Sequence, residues 1–193
     1  MKQIGITGGI GSGKTTVANF FKEFNIPVYI ADEEAKRIMH TPAVISQLKS
    51  LFGDKAYDSS EKLDRKYIAS LVFNDKNLLE KLNSIVHPLV EQDYKNWVQS
   101  QQAPYVLYEA AILFETGRYK EFDYNILVTA PLELRISRLK KRDQATEEEI
   151  KSRMKNQWSD KEKKKKADWV IENVDLIETK EKVAKLHKQI SIL

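Results

Sequence analysis

Gly8, Gly13, Lys14 and Thr15 satisfy the spacing G-x-x-x-x-G-K-[ST], with GIGS (9–12) as the spacer. Five of the seven glycines in the chain fall within its first thirteen residues. Such a run lets the backbone curl until successive N–H groups point inward at phosphate oxygens, and a following helix N-terminus adds partial positive charge. The amides and hydroxyls of Gly9, Gly11, Ser12, Gly13, Thr15 and Thr16 are the candidate phosphate contacts. Lys14 could reach the β- and γ-phosphates, and the Thr15 hydroxyl could ligate Mg²⁺. The plainer alternative is a glycine-rich turn that merely caps a helix.

Two further groups could act on a bound nucleoside triphosphate. Asp32 stands where the apolar stretch IPVYIA (26–31) gives way to DEEAKRIM, at the strand end where α/β sheets place ligands. A carboxylate there could orient an acceptor hydroxyl and take its proton, and phosphoryl transfer asks for little beyond positioning and charge neutralisation. The alternative is that Asp32 only caps the next helix. Arg135, Arg138 and Arg142 fall at i, i+3 and i+7 on one helix face, opposite Leu132, Ile136 and Leu139. Their guanidinium forks suit phosphate oxygens. A solvated basic face is the alternative, most directly for Arg135 and Lys140. No N-K-x-D or D-x-x-G motif accompanies the loop, so a small-molecule kinase is favoured over a GTPase switch.

These groups need a parallel sheet to position them. KQIGIT (2–7) reads as a buried strand, followed by a helix from about Lys14 to Phe24 with Val17, Phe20, Phe21 and Phe24 on one face and Asn25 as its stop. IPVYIA (26–31), PYVLYE (104–109), YNILVTA (124–130) and DWVIEN (168–173) read as further strands. Their near-continuous apolar character suits strands covered on both faces. Helices are predicted over 131–143, with proline in the first turn, over a segment opened by a Thr146–Glu149 capping box, and over 176–190. Between about 41 and 102 the pattern is helical, with Pro88 kinking or dividing the last helix. The alternation of strands and helices predicts a doubly wound α/β domain spanning 1–193. A helical lobe is expected at about 41–102 and a lid at about 132–166.

The 193 residues are 41% hydrophobic and 31% charged, as in ordinary globular domains. No apolar run approaches the length of a membrane span, no signal-peptide pattern opens the chain, and cysteine is absent, so a cytoplasmic protein is expected. The net charge of +4 suits an anionic ligand but argues no nucleic-acid partner. KEKKKK (161–166) reads as a solvated helix end, and Glu109 as the one charge within an apolar run.

The chain resembles the dephospho-CoA kinases over nearly its whole length. The carrying pieces are GITGGIGSGKTTVANFF, VYIADEEAKRIM, LDRKYIASLVF, IVHPLV, AILFE, RLKKRD and ADWVIEN. The resemblance implies ATP- and Mg²⁺-dependent phosphorylation of the ribose 3′-hydroxyl of dephospho-CoA. It also implies that Asp32 is a general base and that Arg138 and Arg142 are lid arginines. His87 and Pro88 would lie near the acceptor, and Asn173 in a segment near the adenine. Phe114 and Glu115 are further candidate substrate contacts, with a core position as the plainer reading for Phe114 and a surface position as the equal alternative for Glu115. Three departures from the family pattern are Ile30 for the first aspartate of D-A-D, Ala111 for a proline, and SSEK (59–62) for a D-G turn. A kinase for another metabolite or nucleoside, and a non-catalytic ATP-binding module with a basic partner-binding helix, are the alternative readings. Oligomeric state is left open.

Overall fold

The computed structural model describes residues 1–193, apart from the side chains of Phe73 and Asn74. Two compact units emerge. One joins Met1–Ile30 to Gln101–Leu193, and the other runs from Ala31 to Ser100.

The first unit is built on five strands: β1 (Lys2–Gly8), β2 (Val28–Ile30), β3 (Tyr105–Glu109), β4 (Tyr124–Thr129) and β5 (Trp169–Glu172). Their order is β2-β3-β1-β4-β5, and every pairing is parallel. Central strand β1 is bonded on both sides, with Ile4 opposite Leu107 and Tyr124, and Ile6 opposite Glu109 and Ile126. A doubly covered strand must be apolar on both faces, and Ile4 and Ile6 are fully buried. Helices α1 (Lys14–Lys22) and α9 (Leu176–Ser191) complete this core through Val17, Phe21, Val183, Leu186 and Ile190. Burial of each such side chain contributes roughly 1.5–3 kcal/mol. Asn25 ends α1 as expected, taking the left-handed φ of 58° while its N–H donates to the Lys22 carbonyl.

Helices α6 (Leu132–Asp143), α7 (Glu147–Lys155) and α8 (Asp160–Lys164) follow β4 in the chain. They gather a small separate core of Ile136, Leu139 and Ile150, against which Ile10, Ala145 and Met154 pack. The Thr146–Glu149 capping box is present, and Ser159–Glu162 forms a second. Pro131 stands at the N-cap of α6 rather than inside its first turn.

The second unit is helical: α2 (Ala31–Ile38), α3 (Pro42–Phe52), α4 (Arg65–Asn74) and α5 (Lys76–Gln99). It begins at Ala31 rather than near residue 41. Helix α5 runs undivided through Pro88, so of the two expected effects, a kink or a division, the division does not occur. An internal proline costs roughly 3 kcal/mol, which burial of Val86, Val90 and Tyr94 along the same helix offsets. Helices α2, α3 and α4 all pack on α5. Arg37 of α2 reaches Glu34 and Asp93, both at 2.5 Å, tying α2 to α5. The SSEK departure is accommodated by a tight turn: Asp58 accepts the N–H groups of Ser60 and Lys62 at 2.8 and 2.9 Å, and Glu61 adopts φ 57°. Among the described residues no helix is long and apolar enough to cross a membrane.

Candidate active site

The glycine-rich segment joins the carboxyl end of β1 to the start of α1 in the first unit. Gly13 is the N-cap of α1 at φ 83°, a left-handed conformation that glycine adopts without Cβ strain, and no side chain caps the helix there. The first amides of α1 are therefore left for an anion. Ser12 N–H bonds back to the Gly9 carbonyl at 3.0 Å, closing the curl. The Ser12 hydroxyl is buried and has no hydrogen-bond partner among the described residues, an orphan that a phosphate oxygen would satisfy. A cavity of about 410 Å³ opens here. It is lined by Gly9, Gly11, Gly13, Lys14, Thr15 and Thr16 of the loop with Arg138, Leu139 and Arg142 of α6. Its volume is within the usual range for small-ligand sites. Six loop residues singled out for nucleotide chemistry, together with Arg138 and Arg142 of α6, thus meet where strand β1 ends.

Glu109 is the neighbour of the phosphate loop that sequence reasoning passed over. It closes β3, is 2% exposed, and stands in register with Ile6. One carboxylate oxygen lies 3.1 Å from Lys14 Nζ, and the other accepts the Thr15 hydroxyl at 3.2 Å. Its signal in the sequence was an acid ending an otherwise apolar strand, where burial must be matched by a charged partner. The residues present fit a magnesium ion. Among the described residues no cluster of three or more His, Cys, Asp or Glu side chains could hold a metal. Mg²⁺ commonly takes only one or two protein donors beside phosphate and water, and Thr15 and Glu109 are oxygen donors of that kind.

The arginines divide. Arg138 reaches the carbonyls of Ser12 and Val174, each at 3.4 Å, and Arg142 pairs with Asp143 at 2.7 Å while remaining largely exposed. That pairing raises the Arg142 pKa, so it stays cationic on the cavity wall. Arg135 is not part of a solvated basic face. Its side chain is 12% exposed, donates to the Ile10 carbonyl at 2.9 Å and pairs with Asp160 at 3.4 Å. Lys140 is solvated, paired at the surface with Glu147.

The remaining candidates of the first unit are engaged within the protein. Asn173 is buried. Its amide donates to the Ser12 carbonyl at 2.8 Å, and its oxygen accepts the Thr179 hydroxyl at 3.3 Å, so it braces the loop from behind. Phe114 is fully buried against Tyr119, in keeping with its reading as a core residue rather than with its place among the substrate contacts. Glu115 is likewise engaged internally: one oxygen accepts the Trp158 N–H at 2.9 Å and lies 2.8 Å from Lys163 Nζ, off the line of a hydrogen bond. Lys163 is completely buried, so the KEKKKK run is not wholly solvated. The Ala111 carbonyl accepts from Thr7 and Gln157, at 3.4 and 3.2 Å, so the turn without the family proline is held by donors instead.

In the helical unit, Asp32 lies in the first turn of α2, two residues beyond the end of β2. It is exposed, and its carboxylate has no partner among the described residues, so it does not cap the helix. His87 and Pro88 are exposed on α5.

Comparison with known proteins accords with this geometry. The family model CoaE, dephospho-CoA kinase, matches residues 2–178. A dephospho-CoA kinase of Bacteroides fragilis is 39% identical over 173 residues, 89% of this chain and 84% of that protein. One of Thermus thermophilus is 37% identical over 182 residues, 94% of this chain and 88% of that protein. The crystal structure of TT1252 from Thermus thermophilus superposes with a TM-score of 0.89 at 37% identity, covering 97% of this chain and 96% of that one. A shikimate kinase from Acinetobacter baumannii, at TM-score 0.54 and 16% identity, covering 98% of this chain and 94% of that one, shares the fold alone. The chain belongs to the dephospho-CoA kinase family, whose reaction is the ATP-dependent phosphorylation of dephospho-CoA in coenzyme A biosynthesis.

Proposed function

We propose that this chain transfers the γ-phosphoryl group of ATP to the ribose 3′-hydroxyl of dephospho-CoA, giving CoA and ADP. The observation that carries this reading is the cavity in which the loop amides, Lys14, Arg138 and Arg142 converge beside the buried Glu109–Thr15 pair. The loop amides and Lys14 cradle the β- and γ-phosphates, and the Ser12 hydroxyl adds a donor. Arg138 and Arg142 neutralise charge on the transferring group. Thr15 and Glu109 would hold a Mg²⁺ ion, which would supply charge neutralisation at the phosphate oxygens. Lys14 exchanges its contact with Glu109 for phosphate when nucleotide binds.

Asp32 orients the acceptor hydroxyl and takes its proton. Its exposed carboxylate, free of internal partners, is available for that role. The helical unit, with His87 and Pro88, holds the acceptor, and α6–α8 act as the lid. Asn173 and the Val174 segment after β5 lie near the adenine.

Incubation with ATP–Mg²⁺ and a panel of acceptors, followed by ADP release, tests the proposal. Turnover is expected with dephospho-CoA and not with AMP, nucleosides or shikimate. Turnover with one of those and none with dephospho-CoA would refute it. In the same assay Asp32→Asn should lower kcat by roughly 10²–10⁴, the usual contribution of a positioned base, with little change in KM for ATP.

A further inference from the structure

One residue of the phosphate loop, Ile10, is held at every group it has. Its side chain packs into the small core of α6 and α7. Its carbonyl accepts from Arg135 Nε at 2.9 Å. Its N–H donates to Gln157 Oε1 at 2.8 Å. The other end of the Gln157 amide donates to the Ala111 carbonyl at 3.2 Å, in the turn that follows β3 and Glu109. Gln157 therefore joins two segments that lie 46 and 147 residues away in sequence.

We infer that Gln157 is a positioning residue for phosphoryl transfer. By accepting from the Ile10 amide and donating to the Ala111 carbonyl, it fixes the loop's curl relative to the strand end that carries Glu109.

The chemistry of the amide makes glutamine suited to this place. One end must accept and the other must donate, and a primary amide offers both without charge. A backbone N–H directed into the loop's own scaffold is withdrawn from phosphate, so Ile10 serves as an anchor, while the uncapped first amides of α1 beyond Gly13 are left for the phosphate. The anchor is seated on the helical segment that also carries Arg138 and Arg142. The position of those cations and the curl of the loop are thus set by the same contacts. Arg135 reinforces the arrangement: its guanidinium lies against Gly9, where a Cβ would collide with it, and its far side meets Asp160. The charged groups around Gln157 are Arg135, Lys151, Lys155 and Asp160, which line the same hollow, with Glu115 and Lys163 beside Trp158. None of them can replace a neutral donor–acceptor pair.

The catalytic arm of this inference rests on the kinase reading, but its binding arm does not. Two variants separate the roles. Gln157→Met keeps length and removes both polar ends; Gln157→Glu keeps the acceptor for Ile10 and loses the donor to Ala111. Amide exchange measured by mass spectrometry should show faster exchange in peptides spanning residues 9–13 for Gln157→Met, with the β1 and β4 peptides unchanged. ADP titrated calorimetrically should bind it about tenfold more weakly. With dephospho-CoA as acceptor, KM for ATP should rise and kcat fall by about the same factor, while KM for dephospho-CoA holds. Gln157→Glu should keep loop protection at Ile10 but, with its donor to Ala111 lost, recover only part of the ADP affinity. Wild-type ADP affinity and loop exchange in Gln157→Met would overturn the inference. So would an equal loss in both variants, including a loss of folding in both, because then bulk packing at the site, not the Ile10 bond, is what matters. Absence of wild-type turnover with dephospho-CoA would refute the kinase reading and leave the ADP and exchange results to decide this one.

Discussion

Neutralising Glu109 should have opposite effects on nucleotide binding and on catalysis. The carboxylate is 2% exposed and 3.1 Å from Lys14 Nζ. At an effective dielectric of about 20, that separation corresponds to a gross attraction of about 5 kcal/mol. Desolvation of a buried carboxylate consumes much of it. Lys14 must still leave this partner to engage phosphate, and the carboxylate then faces an incoming anion. If about a quarter of the gross attraction survives, Glu109→Gln relieves about 1.4 kcal/mol, and metal-free ADP should bind about tenfold more tightly. The Gln oxygen can still accept from Thr15, so loop order is kept. Catalysis runs the other way, because the charged oxygen donor for Mg²⁺ is lost. kcat should drop by roughly 10²–10³, in the range for removing one preorganised electrostatic contact, and the Mg²⁺ concentration for half-maximal rate should rise. Calorimetry of ADP in EDTA, and initial rates across a Mg²⁺ titration, read the two effects separately. Weaker metal-free ADP binding together with an unchanged Mg²⁺ requirement would refute the reasoning, leaving Glu109 as a structural partner of Lys14 alone.

Three further outcomes follow from individual contacts. Lys163→Met strips the fully buried ammonium from Glu115 and should cost about 3 kcal/mol, the low end for breaking a buried pair, because Trp158 N–H still serves the carboxylate. The melting temperature should fall by several degrees, and Lys163→Met with Glu115→Leu should recover most of that fall. His187 hydrogen-bonds Tyr105 at 2.8 Å and stacks on Phe24, and burial lowers its pKa. The unfolded chain therefore binds the proton first, so stability is lost as pH falls below the ordinary histidine value of about 6.5 until the folded-state pKa is passed. Melting curves from pH 7.5 to 5.5 should show a steeper decline for the wild type than for His187→Gln. Arg142→Ala should lower kcat more than it weakens ADP binding, since Arg142 stands on the cavity wall paired only with Asp143; equal losses would make it a plain nucleotide contact.

What the sequence determined by itself is local. The spacing of Gly8, Gly13, Lys14 and Thr15 specifies a curl between a strand and a helix, because backbone freedom and the order of donors are properties of neighbouring residues. The strands were legible as near-continuous apolar runs, the Thr146 capping box from its residue spacing, and the α6 face carrying Arg138 and Arg142 from the 3.6-residue helical period, all written along the chain. The parallel sheet follows from buried strands alternating with helices. Tertiary structure decided the rest. Glu109 meets Thr15 across 94 residues and Gln157 meets Ile10 across 147, and such pairings depend on strand register and helix placement, which no short window of residue types encodes. Lys163 looked like one lysine in a charged run, yet packing turned it inward onto Glu115. Pro88 left a kink and a division equally open, and the apolar residues around it kept the helix undivided. Residue type sets what a side chain can do; the fold, by choosing its partner and its exposure, sets what it does.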